Sequence, residues 1–139
     1  MSSKSSGAPG RRARRVLVVD DEELMREAAA ALLAEEGYSV REARDGAEAL
    51  ASARAERPDV ILTDIMMPLH DGLELLHGLR ASEELMRIPV VVMTASCPTL
   101  LEGHQVAVLL LKPFTCDALL AAIARALEPD PSGRPRGKD

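Results

Sequence analysis

The chain has 139 residues, a length that suits one folded domain, and 47% of them are hydrophobic, enough for a packed core without disulfide staples. Aromatic residues make up 1%, with no Trp, which argues against recognition of nucleic acids or sugars by ring stacking. The net charge is −5, but 1–15 hold five bases and no acid while 128–139 balance, so the body between them carries −10, a sign that suits a divalent cation rather than a nucleic-acid backbone.

Residues 1–14 are rich in Ser, Gly and Arg and read as a flexible basic tail, with a solubilising role favoured over contact with an acidic partner. No secretory signal opens the sequence. The first apolar run, 16–19, is a buried strand that ends in Asp20 and Asp21. Residues 23–36 have helical spacing and stop at Gly37. Residues 38–42 alternate as a strand, and 45–56 form an Ala-rich helix with Asp45 as N-cap, broken by Pro58. A second buried strand ends at Asp64. A helix over 72–82 follows, then a strand over 90–93 ending at Thr94. Residues 106–111 form a fifth buried strand ending at Lys112, and 117–127 an amphipathic helix capped by Thr115 or Asp117. Residues 129–139 read as a second flexible tail, leaving 15–128 as the domain.

Apolar strands alternating with helices imply βαβ units and a parallel, doubly wound α/β sheet. Ligands of such sheets sit beyond the C-terminal strand ends. Those ends carry Asp20, Asp21, Asp64, Thr94 and Lys112. Crowded carboxylates raise one another's pKa unless a cation joins them, and hard oxygen donors favour Mg²⁺. Lys112 adds a point charge suited to a phosphate oxygen, and Thr94 a hydroxyl. Together these describe phosphoryl transfer to an aspartate. Taken singly, each has a structural alternative: Asp20 or Asp21 as the N-cap of 23–36, Thr94 as a strand terminator, Lys112 as a surface residue beside a turn. Cys97 and Cys116 read as inert, reduced thiols, and His70, His77 and His104 lack metal-ligand spacing.

VLVVDDE (16–22), LTDIMMPLHDGLEL (62–75), VVVMTAS (90–96) and LKPF (111–114) resemble the receiver domains of two-component response regulators. The resemblance implies a flavodoxin-like sheet of order 2-1-3-4-5. It makes Asp64 the phosphoacceptor for a sensor histidine kinase or phosphotransfer protein. It implies Mg²⁺ held directly by Asp21, Asp64 and the Met66 carbonyl, with Asp20 acting mainly through water. Lys112 would pair with the phosphoryl group and Thr94 would move to bond it. Pro68 and Gly72 would shape the loop after Asp64, Met66 and Ser96 would flank the phosphosite, and the Lys112–Pro113 bond would be cis. A cytoplasmic bacterial protein is expected, a stand-alone signalling domain and not an enzyme. It would be a monomer or a phosphorylation-dependent homodimer that signals to a protein partner, without DNA or membrane. A phosphohydrolase is disfavoured because Met66 stands where such enzymes carry a second acid.

One stretch departs from the family pattern. Thr94 and Lys112 are 18 positions apart, about four fewer than usual, which shortens the fourth helix to a weak segment near 99–104. Leu109 replaces the usual aromatic three positions before the lysine, and Gln105-Val106-Ala107-Val108 replaces the usual lead-in. The alternative function is therefore a phosphorylation-independent interaction scaffold with an altered output face.

Overall fold

The computed structural model describes residues 13–64, 71–95 and 106–128. Its elements in chain order are β1 (Arg15–Val19), α1 (Glu23–Glu35), β2 (Ser39–Ala43), α2 (Gly46–Ala55), β3 (Val60–Asp64), α3 (Asp71–Arg80), β4 (Val90–Thr94), β5 (Val108–Leu111) and α4 (Cys116–Leu127). The weak helix expected near 99–104 lies outside the described residues.

The five strands form one parallel sheet in the order β2-β1-β3-β4-β5, as the resemblance implied. Alternation along the strands sends side chains to both faces. Leu17, Val19, Ile61, Val90 and Val92 meet Ala49, Ala53, Leu75, Leu76 and Leu79 of α2 and α3 on one face. Val16, Val18, Val60, Leu62, Val91 and Met93 meet Leu33 of α1 and Leu119 and Ile123 of α4 on the other. Burial on both faces is why the strands read as unbroken apolar runs.

Local signals hold at several helix ends. Gly37 takes φ 99° just past α1, a conformation that costs a side-chain-bearing residue more than glycine. The Asp45 carboxylate accepts the Glu48 N–H at 2.8 Å, and the Thr115 hydroxyl accepts the Ala118 N–H at 3.0 Å. The N-cap of α1 is Glu22, and its side chain makes no capping bond, so neither Asp20 nor Asp21 has that role. The fifth strand corrects a second expectation. It begins at Val108 and is an edge strand on which only Leu110 is buried, while Leu111 is 56% exposed. An apolar run does not by itself distinguish a central strand from an edge strand covered on one side.

Candidate functional site

Three strand ends converge on one small polar site. Asp20 follows β1, Asp64 ends β3, and Lys112 follows β5. The Lys112 Nζ donates to Asp64 Oδ2 at 2.9 Å, across 48 positions of sequence. Asp20 and Asp64 are both buried, and Thr94, the last residue of β4, is 1% exposed. Lys112 is anchored by its own backbone, since its N–H donates to the Thr94 carbonyl at 2.8 Å. The Lys112–Pro113 peptide is cis, in agreement with the sequence reading.

Asp20 is fixed from three sides. Its N–H donates to the Ala43 carbonyl at 3.1 Å, its carbonyl accepts from Arg26 Nη1 at 3.0 Å, and its Oδ1 accepts the Glu22 N–H at 2.9 Å. Its Oδ2 is buried and has no hydrogen-bond partner among the described residues. A buried polar atom left unpaired is costly and therefore informative. Burial pushes the Asp20 carboxyl above its ordinary value. The Glu22 N–H and the Lys112 charge oppose this, while the charges of Asp64 and Asp21 add to it. Burial also pulls on Lys112, but its bond to Asp64 and the charges of Asp64, Asp20 and Glu22 outweigh it and raise its pKa.

The two adjacent acids thus part company: Asp20 is buried and Asp21 exposed at the rim. Among the described residues no three Asp, Glu, His or Cys side chains form a ready cation cluster. Met66, Pro68 and Ser96 lie outside the described residues, as do Cys97, His70 and His104; Gly72 lies in α3. Cys116 is an exposed free thiol at the start of α4. Sequence reading passed over Arg26 and Glu42, although a base near a helix N-terminus, where the dipole disfavours it, is a usable signal.

Comparison with known proteins agrees with this geometry. The family model of the response regulator receiver domain matches residues 16–124. Response regulator MprA of Mycobacterium leprae (strain TN) is 39% identical over 108 residues, covering 70% of this chain and 45% of its own length. The chain thus spans less than half the length of the MprA relatives it matches. Among solved structures, the chemotaxis response regulator CheY4 of Vibrio cholerae superposes with a TM-score of 0.77 at 33% identity, over 83% of this chain and 99% of that one. The receiver domain of the sensor histidine kinase PA1611 from Pseudomonas aeruginosa PAO1, solved with magnesium coordinated in its active-site cleft, superposes with a TM-score of 0.75 at 28% identity, covering 83% and 98%.

The chain belongs to the response regulator receiver domains of two-component signalling. No helix among the described residues is long and apolar enough to cross a membrane.

Proposed function

We propose that Asp64 accepts a phosphoryl group, with Mg²⁺, from a sensor histidine kinase or phosphotransfer protein, and that the phosphorylated domain signals by protein–protein contact in the cytoplasm. The observation that carries this reading is the buried Asp64 carboxylate paired at 2.9 Å with Lys112, beside a second buried acid.

The residues present fit Mg²⁺. This ion keeps several waters and takes one or two carboxylates, so the buried Asp20, with its unpartnered Oδ2, and Asp64 would suffice to hold it, with Asp21 at the rim. When bound, Mg²⁺ would neutralise charge on the phosphoryl oxygens and orient them. An Asp64 oxygen attacks the phosphorus of phosphohistidine. A P–O bond forms as the P–N bond breaks, and the electron pair returns to the imidazole nitrogen, which takes up a proton. Lys112, already at the carboxylate, turns its ammonium to the transferred group and holds its negative charge. Thr94, at the adjoining strand end, is the hydroxyl placed to follow.

Acetyl phosphate with Mg²⁺, read by intact mass and phosphate-affinity gel, tests this. We expect one added phosphoryl group, absent with EDTA and absent in Asp64→Ala. A folded protein that takes none, from acetyl phosphate or from a kinase, favours the scaffold reading, for which the short spacing between Thr94 and Lys112 is the motivating observation.

A further inference from the structure

We infer that Arg26 is a positioning residue for the cation site, a strut that fixes Asp20 while Glu42 cancels its charge; this rests on the proposed Mg²⁺ site. Arg26 lies near the start of α1, where a cation opposes the helix dipole and α1 has no side-chain cap to compensate. Its backbone N–H bonds the Glu22 carbonyl at 2.9 Å, so it is locked into the first turn. From there the guanidinium reaches backward. Nη1 donates to the Asp20 carbonyl at 3.0 Å, and Nε donates to Glu42 Oε1, on β2, at 2.9 Å. The side chain is only 16% exposed, low for an arginine.

This arrangement joins the end of β1, the start of α1 and the edge strand β2 at one group. It leaves Asp20 with its N–H, carbonyl and Oδ1 all bonded, and only Oδ2 available to a ligand. Such outer contacts set the orientation of a metal-binding carboxylate. A lone guanidinium beside a cation site would repel the ion. The Glu42 carboxylate offsets that charge, so the strut supplies geometry at little electrostatic cost. Lysine cannot replace it, since one ammonium lacks the fork that reaches both oxygens at once.

The test separates geometry from charge because they predict opposite signs. By Coulomb's law alone, Arg26→Gln removes a positive charge near the site and should tighten Mg²⁺ binding. The strut predicts about tenfold weaker binding. Mg²⁺ affinity of the full chain, by calorimetry or amide NMR shifts, is therefore measured for wild type, Arg26→Gln, Arg26→Lys and Asp20→Asn. We expect both Arg26 variants to weaken binding. In EDTA, both should also speed hydrogen exchange at the Glu22 amide, which Asp20 Oδ1 holds. That readout involves no metal, and Arg26→Lys keeps the charge should Arg26→Gln not fold. Affinity equal to or tighter than wild type in the Arg26 variants overturns the strut and leaves the site intact. If wild type binds no Mg²⁺, or Asp20→Asn binds as well as wild type, the site reading fails and the strut with it.

Discussion

Asp64 and the lysine that meets it come from strands of opposite character. β3 is central and buried at all five positions, so Asp64 sits at the end of a rod packed on both faces. β5 is an edge strand, half-buried, with Leu111 pointing largely to water. Within the sheet it bonds a single neighbour, with Ala107 N–H to the Val90 carbonyl and Lys112 N–H to the Thr94 carbonyl both at 2.8 Å, and of its own residues only Leu110 is buried. One arm of the site is therefore set by a strand buried throughout, and the other by an edge strand with fewer buried contacts to disrupt.

The largest effect that would sharpen this contrast is on stability. Leu62→Ala in β3 opens a cavity between the sheet and its α1–α4 layer and should cost about 2–5 kcal/mol. Leu111→Ala on β5 should stay within about 0.5 kcal/mol. Urea unfolding of both variants checks the difference, and equal losses would mean that β5 is as firmly packed as β3.

Metal comes next. Mg²⁺ at a hundredfold its dissociation constant should stabilise the wild type by about 2.7 kcal/mol, a rise in Tm of a few degrees. Asp20→Asn should lose most of that rise, since Asp20 carries the buried Oδ2 left for a ligand. A full rise in Asp20→Asn would place the ion elsewhere.

The ion pair itself should be asymmetric. Removing Lys112 leaves a buried carboxylate facing Asp20 without its ammonium, whereas removing the Asp64 charge relieves its repulsion with Asp20 and leaves a lysine that can reach water. In EDTA, Lys112→Met should therefore cost about 1–3 kcal/mol and Asp64→Asn clearly less, as measured by thermal melts. The reverse order would show that Lys112 is the more deeply committed partner.

Much of this site was legible before any coordinates. Asp64 could be singled out because an apolar strand ending in an acid followed by Ile-Met-Met-Pro has little structural reason to exist. Lys112 could be singled out because it stands between an apolar run and Pro113. The split between Asp20 and Asp21 was not legible, because adjacency does not say which carboxylate turns inward; the Glu22 N–H that holds Asp20 Oδ1 is a contact of the folded chain. The edge position of β5 followed from the sheet order that the resemblance implied, but its apolar run did not show that Leu111 stands largely in water, because its residues are as apolar as those of β4.

Tyr38 offers the finest probe, at the pole of the sheet away from the site. It stands just before β2, the other edge strand, and packs partly buried against the α1–α4 layer. It is the chain's sole tyrosine, and there is no tryptophan, so phenolate absorbance reports on it alone. Burial pushes its phenol above 10.0; Arg14 pulls it down and Glu36 adds to the rise. An acid with a higher pKa folded than unfolded keeps its proton longer in the native state. Stability should therefore fall as pH rises from the unfolded value to the folded one, and be unaffected below. Absorbance titration should place the native midpoint above that in urea, and Tyr38→Phe should flatten the alkaline loss. Coincident midpoints would mean that the phenol beside the start of β2 meets water in the native state as freely as in the unfolded chain. Separate midpoints would mean that Tyr38 stays packed against the α1–α4 layer in the native state.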